Sequence, residues 1–170
     1  APLSAADEAA AADNEGAATT TASPPDAPIK WFYNVDDSGL AIGGYDVVSY
    51  FEGEKPIIGQ PEFTKTHDGV RYQFATGKNA QTFETDPEKY VPAFGGWCAM
   101  VMGRTMENSG GPPARYPADP TNYVIHEGRL YLFVKASNVD AKAVWQADKD
   151  ERIRQATAFW KTRLELGQQH

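Results

Sequence analysis

The stretch FTKTHDGVRYQF, which runs from Phe63 to Phe74, predicts a β-hairpin. Its two halves are short runs rich in β-branched and aromatic residues, and they flank the pair Asp68-Gly69. An Asp-Gly pair between two such runs is typical of a type I′ turn, because both central residues of that turn need a positive φ.

A second hairpin with the same layout is predicted further along the chain. The runs Tyr123–His126 and Arg129–Phe133 flank Glu127-Gly128. Two hairpins, each followed by a helix, predict an α+β fold with a small antiparallel sheet packed against helices. Hairpins precede helices so often that this similarity does not by itself establish a duplication.

The helices that follow the hairpins are recognised from their capping residues. The first is expected to begin near Thr76, and the second at Ser137 or Asn138 with Asp140 in its first turn. The second is expected to continue as a long C-terminal helical segment to about Glu165. A charged run in the middle of that segment indicates either a solvent-exposed face or a break between two helices.

Composition limits the classes of function. The chain has 170 residues and a formal net charge of −7. Since typical domains have about 100–150 residues, residues 29–170 are expected to form a single domain. Nucleic-acid-binding proteins concentrate Lys and Arg on one face, so no nucleic-acid partner is expected. No apolar run approaches the ~18 residues of a membrane helix, so no integral membrane segment is predicted.

Residues 1–28 have a different composition from the rest. They are rich in Ala, Thr, Ser and Pro, and they carry five carboxylates and no basic residue. Such a segment cannot bury enough apolar surface to fold, which predicts a disordered tether. Together with the first residue, Ala1, it predicts export to the periplasm or the extracellular space after removal of a signal peptide. An arbitrary trim of the sequence is the alternative.

An ordered series of motifs resembles the exported, free-standing branch of the YHS-domain family. The motifs are Ala41–Phe51, Tyr72–Thr76, Phe83, Asp86–Tyr90 and Gly95–Ala99. The resemblance covers about residues 40–165 and implies a small α+β module that is often associated with metal handling. The metal-associated branch carries two cysteines at the positions of Ala75 and Asn79. A metal site in this chain would therefore need other residues.

All the sulfur of the chain lies in one stretch, which contains Cys98, Met100, Met102 and Met106. Sulfur ligands select Cu(I), or they can bind the iron of a haem. In an extended segment Cys98, Met100 and Met102 would share one face, whereas a helix would pair Cys98 with Met102 and place Met106 one turn further along. The alternative is a buried thiol and core-filling methionines.

Two histidines are weaker candidates for metal ligands. His67 and His126 each lie two residues before the glycine of a hairpin turn. They could converge with Cys98 if both hairpins fold back on one side. A histidine beside a turn is otherwise an exposed residue with no special role.

Three further residues are candidates for binding a cofactor. Tyr45, Asp46 and Trp97 are surrounded by apolar and aromatic residues that could line a pocket. A buried Asp46 must be paired or neutral, and the alternative role for it is a helix cap.

These patterns predict an exported binding module that holds a soft metal ion, with copper favoured, or a metal-bearing cofactor such as haem. A metal-free scaffold or protein-binding domain, with the sulfur in its core, is the alternative. A thiol-dependent enzyme is third, because the sequence contains no nucleophile elbow, no phosphate-binding loop, no HExxH and no Cys-x-x-Cys.

Overall fold

The computed structural model describes residues 32–53, 55–104, 116–136 and 138–167, which form an α+β fold. The predicted tether, residues 1–28, lies outside these ranges. Within the described ranges, no helix combines the length and the apolar character that crossing a membrane requires.

Both predicted hairpins are confirmed. Strands β1 (Gln60–His67) and β2 (Val70–Phe74) pair antiparallel, and so do β3 (Asp119–His126) and β4 (Arg129–Phe133). Asp68 and Gly69 have φ values of 52° and 80°, as a type I′ turn requires. Each hairpin is a separate two-stranded sheet. A third small sheet pairs β5 (Lys135–Ala136) with β6 (Val139–Asp140).

Six α-helices lie in the described ranges: α1 (Ser49–Glu52), α2 (Gly77–Thr85), α3 (Pro87–Tyr90), α4 (Ala99–Arg104), α5 (Ala141–Gln146) and α6 (Lys149–Gly167). The predicted cap of α2 is confirmed, because the Thr76 hydroxyl accepts a hydrogen bond from the Asn79 N–H. The predicted start of the C-terminal segment is wrong. Asp140 itself is the N-cap of α5, and it accepts hydrogen bonds from the N–H groups of Lys142 and Ala143.

The C-terminal helical segment is broken and not continuous. Helix α5 ends at Gln146 and helix α6 begins at Lys149. Of the two interpretations of the charged run, a break between two helices is therefore the one that the backbone adopts.

The two hairpins belong to two copies of one folding unit, which consist of the described parts of residues 41–90 and of residues 93–150. The hairpins have equal strand lengths, the same pairing register and an irregularity at the same place. Each unit begins with a 3-10 turn at a glycine pair, Ile42–Gly44 in the first and Ala93–Gly96 in the second. Three consecutive residues have positive φ in both turns: 58°, 60° and 86° from Ile42, and 58°, 64° and 85° from Phe94.

The hydrogen bonds show that Asp46 in the first unit and Cys98 in the second occupy equivalent positions. The N–H of Asp46 donates to Ile57 O at 2.7 Å, and the N–H of Cys98 donates to Tyr116 O at 2.9 Å. Asp46 Oδ2 accepts from the Ala75 N–H, and Cys98 Sγ accepts from the Val134 N–H. The same backbone arrangement thus holds a carboxylate in the first unit and a thiol in the second.

Each unit packs its hairpin against one aromatic side chain of the following helix. Phe83 of α2 lies with its ring centroid 5.0 Å from those of Tyr72 and Phe74. Trp145 of α5 lies 5.2 Å from Tyr131 and 5.0 Å from Phe133. Burial of aromatic rings of this size is the main favourable contribution to such a core.

The two units share their core. Leu130 and Leu132 of the second hairpin are buried in the hydrophobic cluster of the first unit. The Tyr50 hydroxyl of the first unit donates a hydrogen bond to Pro120 O at 2.6 Å. Burial raises the pKa of Tyr50 above its usual value, because ionisation would place a charge in this contact.

Candidate functional site

The sulfur-bearing side chains lie in the core of the second unit. Cys98 and Met102 are fully buried and Met100 is nearly so. Helix α4 places Met102 one turn after Cys98, and the N–H of Met102 donates to Cys98 O. The extended arrangement, with three sulfurs on one face, is therefore wrong. Met106 lies outside the described residues.

The described contacts of Cys98 are those of a core side chain. Its Sγ accepts a hydrogen bond from the Val134 N–H at 3.3 Å. It belongs to an apolar cluster with Phe133, Trp145 and Ala156, all of which are fully buried. A buried thiol in apolar surroundings is typically unreactive, which disfavours thiol catalysis.

Asp46 is held by a hydrogen-bond cluster that uses its acceptor capacity. Oδ1 accepts from the N–H groups of Val48 and Ser49 at 2.8 and 3.2 Å, and Oδ2 accepts from the Ala75 N–H at 2.8 Å and from Asn79 Nδ2 at 2.7 Å. A carboxylate has about four acceptor positions, so these four bonds leave none for a ligand. Asp46 acts here as a turn and helix-start residue.

The other two candidates for binding a cofactor are occupied with packing. Trp97 Nε1 donates to Phe32 O at 2.8 Å, and Tyr45 is half-buried against the core of the first unit. A cavity between the two units, with Ile42 and Gly96 in its lining, has a volume of only about 10 Å³. That is room for about one water molecule and far too little for haem.

Each histidine lies in a cluster with two carboxylates. The His67 cluster consists of His67, Asp68 and Glu88, and the His126 cluster consists of His126, Glu127 and Asp150. In both clusters the ligand atoms lie within 4.8 Å of one another. Among the residues that the structure describes, Cys98 joins neither cluster, so the predicted convergence of the histidines on the thiol is wrong.

The fold explains why the two clusters are alike. Each histidine is the last residue of the first hairpin strand, and the first carboxylate follows it in the turn with positive φ, 52° at Asp68 and 50° at Glu127. The second carboxylate comes from the start of a later helix, Glu88 in α3 and Asp150 in α6.

The two clusters differ in how the imidazole is satisfied. His67 Nε2 lies 2.7 Å from Glu88 Oε2, a hydrogen bond, and 3.4 Å from Asp68 Oδ2. His126 Nε2 lies 3.1 Å from Glu127 Oε2 and 3.6 Å from Asp150 Oδ1. Neither of these contacts has hydrogen-bond geometry. Although the atom is buried, His126 Nε2 therefore has no hydrogen-bond partner among the described residues.

Each imidazole packs edge-on against an aromatic ring. The His126 ring stands at 87° to the ring of Trp145 with centroids 6.4 Å apart, and the His67 ring stands at 89° to Phe83 at 6.1 Å. The carboxylates remain exposed, with 80% of the Glu127 side chain and 85% of the Asp150 side chain open to solvent. The His126 cluster thus combines a buried imidazole nitrogen with two exposed carboxylates.

The charges of Asp68 and Glu88 act on the tyrosines near the His67 cluster. Burial raises the pKa of Tyr33 and of Tyr72 above the usual value, and the charges of Asp68 and Glu88 raise both further. The Arg129 guanidinium opposes this effect and donates a hydrogen bond to Glu88 O at 3.1 Å. A cation is therefore attracted to this cluster, but Arg129 weakens the attraction.

Sequence reasoning identified the histidines and missed their four carboxylates. The signal for two of them was present, because the turns read His-Asp-Gly and His-Glu-Gly. Glu88 and Asp150 follow helices α2 and α5, and nothing in the sequence fixes how those helices return towards the hairpins.

Comparison with known proteins assigns no role to these residues. No family model, no curated protein and no solved structure matches the chain. The YHS resemblance stays a prediction from the motifs, and the function has to be argued from the geometry.

Proposed function

We propose that this chain is a metal-binding module whose principal site is the His126 cluster. The observation that carries the proposal is the buried Nε2 of His126, which lacks a hydrogen-bond partner among the described residues and faces two carboxylate oxygens. A buried polar atom without a partner costs about 1–3 kcal/mol. A coordinated cation would satisfy it.

The distances between the donor atoms support this proposal. Zinc lies at about 2.0–2.2 Å from nitrogen and oxygen ligands, so two donors of a tetrahedral site are roughly 3.4 Å apart. The nitrogen-to-oxygen distances of the His126 cluster are 3.1 and 3.6 Å. Three protein ligands leave a fourth coordination position for water.

The donor set indicates which ions would bind. One imidazole and two carboxylates suit divalent ions such as Zn²⁺ and Cu²⁺, and Cu²⁺ binds such sites most tightly in the Irving–Williams order. Copper is therefore still favoured, but as Cu²⁺ bound by nitrogen and oxygen instead of Cu(I) bound by sulfur. Because both carboxylates are exposed, binding is expected to be reversible. Export stays a prediction from residues 1–28.

The His67 cluster is the weaker site of the two. A cation there would have to replace the hydrogen bond between His67 Nε2 and Glu88, which is 2.7 Å long. It would also approach Arg129, whose guanidinium is bound to the backbone of Glu88. Both effects lower the affinity relative to the His126 cluster.

Zinc titration followed by calorimetry tests the order of the two sites. We expect His126→Gln to weaken the tighter binding event at least about tenfold, because a ligand has been removed. His67→Gln is expected to leave the tighter event in place and to remove the weaker one. Glu151→Gln, which neutralises a carboxylate next to Asp150, is the control for charge alone. Unchanged binding in His126→Gln would contradict the proposal.

Cys98→Ala distinguishes two roles of Cys98, a metal ligand and a buried core side chain. We expect a loss of about 1–3 kcal/mol in the free energy of unfolding, measured in urea, because the substitution leaves a small cavity. Zinc affinity is expected to be unchanged, since Cys98 belongs to neither histidine cluster. A large loss of affinity in a folded Cys98→Ala variant would restore the thiol as a ligand.

The metal-free alternative has one observation in its favour. Ile57, Ile58 and Tyr116 expose about half of their surface, at 52%, 54% and 51%, and could contact a protein partner. This alternative requires that neither zinc nor copper binds in the titration.

A further inference from the structure

We infer that a metal ion at the His126 cluster holds the start of helix α6 against the second hairpin, and thereby controls an opening of that helix that uncovers Cys98. The inference rests on the proposed metal site. It adds a consequence of metal binding, namely that the accessibility of the Cys98 thiol depends on the metal.

The His126 cluster spans two elements that are separate in the chain. His126 and Glu127 belong to the end of β3 and its turn, whereas Asp150 lies in the first turn of α6. The Asp150 carboxylate lies 3.6 Å from His126 Nε2 and is largely exposed. An ion bound to both Asp150 and His126 would therefore connect α6 to the hairpin.

Helix α6 covers the cluster that contains Cys98. Ala156 is fully buried in that cluster, and Ile153, Phe159 and Trp160 pack against it. The helix also packs against α4, whose first residue follows Cys98 directly. Movement of α6 away from α4 would thus open the apolar surroundings of the thiol.

Most side chains by which helix α6 contacts the core are only partly buried. Among residues 149–162, whose side chains the structure describes, Ala156 alone is fully buried. The ion pairs between Arg152 and Asp148 and between Arg154 and Glu151 lie near the start of this helix and connect neighbouring turns of the chain, so they do not attach it to another element. Segments with few buried apolar contacts are the ones that open locally, without global unfolding.

Binding that requires the closed helix must oppose its opening. A ligand that binds only the closed state reduces the opening equilibrium by the factor 1 + [L]/Kd. Zinc at about a hundred times its Kd is therefore expected to reduce the exposure of Cys98 about a hundredfold. Removal of the metal restores the opening.

The test is the rate at which an aromatic disulfide reagent labels Cys98, the only cysteine of the chain, in native conditions. The metal-free protein is compared with protein in excess zinc, and with zinc followed by a chelator. We expect zinc to slow labelling about a hundredfold and the chelator to restore the rate. Asp150→Asn is expected to lose most of this protection. Glu151→Gln, on the same helix turn, is expected to keep it.

The outcomes separate the two proposals. If calorimetry detects zinc at His126 and labelling does not slow, the inference on α6 is wrong and the proposed function stands. If no zinc binds, the proposed function itself fails. In the metal-free protein, labelling should rise only slightly with low concentrations of urea, because a local opening exposes little surface. A dependence as steep as that of global unfolding would overturn the inference.

Discussion

Asp46→Ala is expected to destabilise the protein by about 3–5 kcal/mol, the largest effect of any single substitution considered for the first unit. The Asp46 side chain is fully buried and accepts four hydrogen bonds. Alanine would leave several buried donors without an acceptor, including the Ala75 N–H and the Asn79 amide. The free energy of unfolding in urea measures the loss.

Asp36→Ala is the matched control for this substitution. Asp36 Oδ1 also accepts three hydrogen bonds, from the N–H and hydroxyl of Ser38 and from the Leu40 N–H, but in an exposed turn. These bonds hold the pKa of Asp36 below its usual value. Water can replace the carboxylate there, so the expected cost is about 1 kcal/mol or less. Equal losses for the two variants would show that burial of the Asp46 cluster does not matter.

Gly95→Ala is expected to cost about 2–5 kcal/mol for two separate reasons. Gly95 has a φ of +64°, which costs a residue with a Cβ roughly 1–2 kcal/mol. A Cβ would also lie 2.6 Å from the Trp160 ring and 2.7 Å from Phe32 O. Relief of that overlap would displace α6, and overpacking of this kind typically costs about 1–3 kcal/mol.

The internal duplication supplies the control for Gly95. Gly43 occupies the equivalent position in the first unit with a φ of +60°, and a Cβ there would meet Pro120 Cγ at an ordinary 3.7 Å. Gly43→Ala therefore carries the backbone cost alone, about 1–2 kcal/mol. The difference between the two variants in thermal or urea unfolding isolates the contacts with Trp160 and Phe32 O. Equal destabilisation would mean that α6 does not pack over Gly95.

Local chemistry was enough to predict the hairpins. Asp68-Gly69 and Glu127-Gly128 are typical of a turn with positive φ, and the runs on either side are rich in β-branched, apolar and aromatic residues. The cap at Thr76 was equally readable. The start of the C-terminal segment was not, because Asn138 and Asp140 are both good caps and the strand pair β5–β6 decides between them.

The duplication could not be established from the sequence. The two units place different residues at equivalent positions, Asp46 against Cys98 and Phe83 against Trp145. Apart from the glycine pair and the His-acid-Gly turn, the units share backbone geometry, in the left-handed turns and in the hydrogen bonds made by Asp46 and Cys98. That geometry becomes visible only when the hairpins and the glycine turns are seen together.

Only part of each histidine cluster could be predicted, because the rest depends on tertiary structure. His67 and His126 stand out beside their turns, and an acid follows each of them directly. The third member of each cluster depends on how α3 and α6 return to the hairpins, which is a tertiary property. The sulfur-rich stretch drew attention because of its composition, yet α4 directs Cys98 and Met102 into the core.

The most direct test of the metal-binding proposal is anomalous diffraction at the zinc absorption edge from crystals of the protein equilibrated with zinc. We expect a peak about 2.0–2.2 Å from His126 Nε2 and from one oxygen each of Glu127 and Asp150. A zinc-saturated crystal with no peak at His126, or with its strongest peak beside Cys98, would contradict the proposal.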